Sequence, residues 1–411
     1  MLNIILSPNM NCSILKFLLV LFICLCAEKS FSQDQAKDSK YQFFVEPELM
    51  FGKTVSNYND FPSSNAVRSI FLSIGINDTR NIHSSKYYHQ PTTGISLSYS
   101  NFGNDSILGK AYGIMPFIMF RPWGNHQKAW SLKFGIGGSY FTKTFEDSEQ
   151  NLAIGSNLTW SFQAFLYREL FTLNRMKFRL GAGYLHSSNG HTKLPNMGLN
   201  SAQVSLSCQL NSKPLTSQKR DVYLGTDADL NRRYFITIRT GLGIHEYGGK
   251  SKPIGGDKGN VYASALSGGI LFKQHLKVRA GFTYRFYEHY YDQIKINEDS
   301  DYADSPNWNA SNIYFHLGSE FLIGHFGLDI EGGLNLYKPY YKEYYKTYGG
   351  SSSELKYKLK KYFSSRMGLN FYFVNTNKLP KNNFFIGANI NANFGQADFS
   401  ELCFGYTHTF L

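Results

Sequence analysis

A strict alternation of side-chain character, repeated segment after segment, constrains this chain more than any other feature. From Met176 to Ser188 the even positions read Met176, Phe178, Leu180, Ala182, Tyr184, His186 and Ser188, while the odd ones read Lys177, Arg179, Gly181, Gly183, Leu185 and Ser187. Successive side chains of a β-strand point to opposite faces, so this segment has one apolar face and one cationic or small face. Residues 132–140, 234–244, 276–286, 326–336 and 384–394 read the same way. A single such strand would also suit a soluble sheet with one face on a core. Charge and glycine behind so many apolar faces fit the wall of a transmembrane barrel, lipid outside and polar lumen inside.

Composition agrees with that reading. Aromatic residues make up 16 %, with 29 Tyr and 34 Phe, charged residues only 18 %, and the mean hydropathy is still −0.31. The apolar residues must therefore be dispersed among polar ones, as in barrel strands with aromatic girdles. Lys16, the apolar run 17–27 and small residues at Ser30 and Ser32 predict a signal peptide cleaved after Ser32. That run is too short for a bilayer span, which needs about 20 apolar residues. Cys208 and Cys403 are the cysteines left after cleavage, too few for a disulfide scaffold. The net charge of +12 favours anionic partners. For an exported chain these are phosphorylated glycolipids rather than nucleic acid.

The expected fold is all-β: a transmembrane antiparallel up-and-down barrel of roughly 12–16 strands, even in number. It is expected to occupy 33–411 as one barrel, with no second domain. Strands are predicted at 41–53, 66–76, 92–101, 110–121, 128–142, 153–168, 176–188 and 199–211. Further strands are predicted at 233–246, 260–274, 276–290, 312–324, 326–338, 360–375, 382–396 and 399–411. Pro116 weakens the fourth, and the last, aromatic-rich segment is expected to close the barrel. The Tyr/Lys stretch 337–348 reads as an interfacial loop carrying an aromatic girdle.

Chemistry concentrates between Leu185 and Asn200. His186 and Ser188 are two apart on a strand and share its lipid face. Serine is a weak nucleophile until a base takes its proton, and histidine is the usual base. If the chain enters from the periplasm, the strand 176–188 runs outward, which puts both residues near the outer leaflet and makes 189–198 an extracellular loop. Asn200 lies on the same face of the next strand, where a hairpin in register sets it beside His186. Asn189 and Gly190 are the candidate oxyanion donors. His191 and Lys193 are loop residues, able to meet phosphates or simply solvated.

The string His186-x-Ser188-Asn189 followed by Pro195-Asn196-x-Gly198-Leu199 resembles the signature of the outer-membrane lipid A 3-O-deacylases, also called acyloxyacyl hydrolases. The likeness is concentrated in these residues, with weaker stretches at 94–110 and 384–406. It implies a barrel with its active site on the lipid-facing wall, acting on lipid A (lipopolysaccharide) in the outer membrane. The sequence has no HExxH, no spaced Cys/His set and no phosphate-binding glycine loop, so no cofactor or metal is expected. The resemblance also implies Ser188 as nucleophile and His186 as base. The family's acidic third member falls at Asn200, a departure. No Asp or Glu occurs between Glu169 and Asp221, so an acid would have to come from elsewhere, for example Glu146, Asp147 or Glu149. Alternatively, Asn200 itself orients the imidazole. Two other readings stay open: a silent barrel, serving as pore or adhesion scaffold, and an acyltransferase using the same serine.

Overall fold

A computed structural model describes residues 41–78, 91–121, 130–212, 232–249, 258–297, 301–349 and 353–410. The expected signal peptide, 1–32, lies outside the described residues. Sixteen antiparallel strands, β1 to β16, make up the described sheets. They run from β1 (Tyr41–Thr54) and β2 (Val67–Asp78) to β15 (Asn382–Asn393) and β16 (Gln396–Thr409). All-β antiparallel barrel architecture is thus what the chain has, but not as one wall.

The strands close in two sets of eight. β1 pairs with β8 (Leu199–Asn211), Glu48 opposite Ser207, and so completes a first barrel of β1–β8. The terminal strand β16 does close a barrel, but against β9 (Arg233–Glu246), Leu402 opposite Leu242. The expectation of a single barrel over 33–411 is corrected accordingly. Alternation states which face of a strand meets lipid and is silent about which strands seal a wall. Closure satisfies every edge, which matters because no water is present in the bilayer core to do so.

Both lumens are filled, as expected at eight strands per barrel. In the first, Phe44, Met50, Phe71, Phe165 and Tyr167 pack together inside the wall. Beside them Tyr167 donates to Glu48 at 2.7 Å, and Arg179 is bound to Glu46. In the second, Arg279 and Arg366 grip Asp329 at 2.6 and 2.7 Å, Arg239 holds Glu331 at 2.5 Å, and Arg366 reaches Glu401 at 2.9 Å. Buried ions are tolerated only when paired and hydrogen-bonded in this way. The polar lumen expected from the sequence is thus lined by packed side chains and paired charges.

The outward faces carry the apolar positions read from parity: Leu180, Leu206, Ile238 and Leu266 are each about half exposed, at 51, 49, 56 and 58 %. Apolar surface on that scale marks a membrane-facing wall. Three connections at one end are two or three residues long (174–175, 273–275, 324–325) and 373–381 is longer, whereas the other end carries 55–66, 142–157, 189–198, 288–310 and 338–362 beside the tight turn 394–395. Short turns belong to the periplasmic side and long loops to the exterior. Pro116 stays within β4 (Lys110–Phe120), opposite Ile95, while the pairing of β4 to β5 (Trp130–Phe141) skips Met115 and Pro116. The missing N–H of proline is thereby accommodated. The tyrosines of the 337–348 stretch form no girdle. Tyr341–Tyr348 is helical, and Tyr340, Tyr341 and Tyr344 are buried with Tyr287 and Tyr290 at the second barrel's outer mouth.

Candidate active site

The site is built on the hairpin of β7 (Met176–Ser188) and β8, at the outer end of the first barrel. Registry places His186 directly opposite Asn200. His186 Nδ1 and Asn200 Oδ1 are 2.6 Å apart. A carbonyl oxygen only accepts, so the imidazole proton is on Nδ1 and the lone pair is on Nε2. Phe162 of β6 (Leu158–Leu173) flanks the ring, with centroids 5.9 Å apart.

Ser188 faces outward like His186, yet it is only 5 % exposed. The Asn196 carboxamide lies against its hydroxyl, Nδ2 at 3.0 Å and Oδ1 at 3.2 Å, and the Gly190 N–H donates to it at 3.3 Å. Among the described contacts His186 and Ser188 are not hydrogen-bonded to each other. Such bonds often tighten only around substrate.

Loop 189–198 reverses tightly, with left-handed backbone at Gly190 (φ 66°), His191 (φ 68°) and Gly198 (φ 77°). Two of the glycines are needed for space as well. A Cβ at Gly198 would stand 2.8 Å from His186 Cε1, and one at Gly190 would stand 2.2 Å from Ser400 Oγ. Asn189 is the organiser of the loop. Its Oδ1 accepts from His191 N–H at 3.0 Å, and its Nδ2 donates to the Lys193 carbonyl at 2.5 Å. The amide expected as an oxyanion donor is therefore committed to the turn. Of the two expected donors, only Gly190 points at Ser188; Asn196, a member of the resembling motif that was given no role there, is the other group that does.

The second barrel covers this hairpin. Trp160, opposite Ser188 in register, donates from Nε1 to Ser400 Oγ at 2.9 Å, and Ser400 Oγ donates to the Asn189 carbonyl at 3.3 Å. Glu246 donates its N–H to the His191 carbonyl at 3.0 Å and accepts the Leu194 N–H at 2.9 Å. His191 is buried and stacked on His245, centroids 4.7 Å apart, not free to meet phosphate. Burial first, then the neighbouring His245, pushes its pKa down to about 3. Lys193 pairs with Glu146 at 2.5 Å, and Asp147 accepts from the Thr144 N–H at 2.9 Å. Glu149 is exposed. Glu146 and Asp147 are thus engaged within the loops, and the partner observed on His186 Nδ1 is Asn200.

Closed antiparallel sheets with apolar outer walls define the class: this is a bacterial outer-membrane β-barrel protein. Residues 73–209, spanning β2 to β8, match the family model PagL, lipid A 3-O-deacylase. The resemblance carried by the His-x-Ser-Asn motif is thereby borne out for the first barrel. Solved structures similar to the chain include the outer membrane enzyme PagL, at 18 % identity and TM-score 0.30, covering 39 % of this chain and 97 % of that one. OprB of Pseudomonas putida is another, at 8 % identity and TM-score 0.17, covering 90 % of this chain and 94 % of that one. The outer membrane protein opdK of Pseudomonas aeruginosa is a third, at 11 % identity and TM-score 0.19, covering 90 and 98 %. No curated protein matches the chain.

Proposed function

We propose that this chain hydrolyses an ester-linked acyl chain of lipid A, with Ser188 as nucleophile, His186 as base and Asn200 as the residue that orients His186. The match of 73–209 to the lipid A 3-O-deacylase model supports deacylation of lipid A as the activity class. The observation that carries the mechanism is the His186 Nδ1 to Asn200 Oδ1 contact of 2.6 Å. It leaves Nε2 as the basic nitrogen on the face that also presents Ser188, at the height of the outer leaflet.

In this reading the Ser188 hydroxyl rotates from Asn196 towards His186 and gives its proton to Nε2 as Oγ attacks the ester carbonyl. The oxyanion forms next to Oγ, where the Gly190 N–H and Asn196 Nδ2 already converge. His186 then protonates the departing sugar hydroxyl, and water activated by the same Nε2 releases the fatty acid. Asn200 accepts from the imidazole but cannot neutralise the imidazolium, so the base is weaker than in a carboxylate triad.

The test is mass spectrometry of lipid A from cells with and without the protein, and with Ser188→Ala. Loss of one acyl unit, abolished by Ser188→Ala, is expected. A gain of an acyl unit would mean transfer, and an unchanged lipid A would end the hydrolase reading.

A further inference from the structure

The outer walls of the two barrels do not simply pack against each other. Between them runs a cleft of about 1450 Å³, lined on one side by β2–β7 and on the other by β12 (Ser311–Ile323) to β16. Small-molecule pockets hold roughly 300–1,000 Å³, so this space is larger than a compact ligand requires. Its walls are the lipid faces: Ile74, Ile95 and Phe134 from the first barrel, Ile330, Met367 and Ile390 from the second. His186 and Ser188 line it at the outer end, together with Ala392 and Ala397. At the periplasmic end it reaches Pro91 and His325.

Water has no polar partners along most of such a wall, and apolar cavities take up apolar guests. β7 lines only the outer end of the cleft, through Tyr184, His186 and Ser188, and the cleft runs on inward along β3 (Thr92–Asn101), β4 and β5, strands of 10 to 12 residues. At about 3.3 Å per residue such strands extend roughly 35 Å along a tilted path. That is enough to cross a hydrocarbon core about 30 Å thick. A chain entering at Ser188 therefore meets protein on two sides throughout its leaflet.

We propose that this cleft is the acyl-chain groove of the enzyme, and that the second barrel is its second wall and selects for a long chain. The inference rests on the ester-hydrolase reading above and adds its specificity determinant. The occupant is the single acyl chain whose ester carbonyl lies at Ser188. A small side chain at Ala164, opposite Tyr184 and four positions inward of Ser188, leaves it room on one wall, and Ala392 does so on the other at the outer end. Ala392 belongs to β15, whose neighbour β16 carries Ser400, bonded to Trp160 and Asn189, so groove and nucleophile loop are held in one frame.

Purified protein is assayed on p-nitrophenyl esters of four and fourteen carbons, alone and as Ala392→Trp and Ala164→Trp. The parent is expected to favour the longer ester. Each variant should lower the long-to-short ratio of kcat/KM at least tenfold, its heat-modifiable migration on gels showing that it is folded. Retention of the parent ratio by both folded variants would overturn the groove. A parent inactive on both esters would count against the hydrolase reading instead, and the groove is then decided by cross-linking. A photoreactive benzophenone amino acid replaces Ala392, or Leu206 on the open wall, in Ser188→Ala protein. The protein is reconstituted in vesicles of lipid A and phosphatidylethanolamine. Position 392 is expected to label lipid A severalfold beyond its abundance, and position 206 in proportion to it. Equal labelling at the two positions would overturn the groove.

Discussion

The seventh and eighth strands of each barrel form a hairpin at the outer end, and the two hairpins differ in what they carry. In the first barrel, β7 and β8 present His186, Ser188 and Asn200 on the lipid face and are joined by the ten residues 189–198. In the second, β15 and β16 present Ile390, Ala392 and Ser400 outward and are joined by Phe394 and Gly395 alone. The lumens differ too: apolar rings dominate the first, and a network of arginines and acids fills the second. Similar walls therefore do different work. Chemistry requires a loop long enough to turn back over the strand end and deliver Asn196 and Gly190 to Ser188. The short hairpin cannot do that, and it serves instead as a surface against which the first is held.

The largest expected effect is at the nucleophile. Ser188→Ala should lower lipid A deacylation by about 10⁴-fold or more. The counterpart change on the bare hairpin, Ser400→Ala, should cost only a few-fold, because it loosens the loop without touching the reacting atoms. Both proteins should still migrate as folded barrels on unheated gels. Equal losses at the two serines would erase the distinction between the hairpins. Next comes Asn196→Ala, which removes one of two donors near Ser188 and should lower kcat by about 10²–10³-fold with little change in KM. A KM effect alone would assign Asn196 to substrate binding.

Asn200 is expected to matter less. Asn200→Ala should slow hydrolysis by about 10²-fold, since His186 loses its orienting acceptor. Asn200→Glu should match or exceed the parent, because a carboxylate both orients the ring and stabilises its cation. An Asn200→Ala protein as fast as the parent would remove Asn200 from the site. Release of fatty acid from lipid A in detergent measures all three.

The His186–Asn200 pair was legible before any coordinates because it depends on period-two parity and a hairpin in register, both local properties. The bounds of loop 189–198 were legible too, but its internal geometry was not. Asn189 and Asn196 are each one of many turn-forming asparagines in sequence, and only the left-handed bends at Gly190 and His191 decide which amide reaches Ser188. Division into two barrels was hidden for a related reason: the alternation in β8 and β9 is the same whether they are neighbours in one wall or belong to two. A weaker signal was present in the inward-facing charges of 233–411, where Arg239, Arg279 and Arg366 are offset by Asp329, Glu331 and Glu401. Opposite charges in such balance suit a narrow, packed lumen better than a wide, wet one. The contacts of Trp160 with Ser400, and of Glu246 with Leu194, join residues distant in sequence and left no trace there.

The smallest expected effect concerns the joint between the two hairpin regions, where His191 stacks on His245. In the folded chain His191 is neutral, with a pKa pushed down to about 3 by burial and by His245, against the raising effect of the Asp398 carboxylate. With the loop released, the imidazole returns to a pKa of about 6.5. The released state therefore binds more protons between these values, and the docked state is favoured fully only above the upper one. Lowering the pH from 7 to 5 should weaken loop docking by about 2 kcal/mol. Hydrogen exchange of segment 189–198, corrected for intrinsic rates, should rise over that interval while strand β7 stays protected. His191→Gln cannot take up the proton and should flatten the response. Protection that stays constant from pH 7 to 5 in the parent would mean that the stack does not govern docking. The Glu246 contacts to His191 and Leu194 would then be what holds the loop to the second barrel.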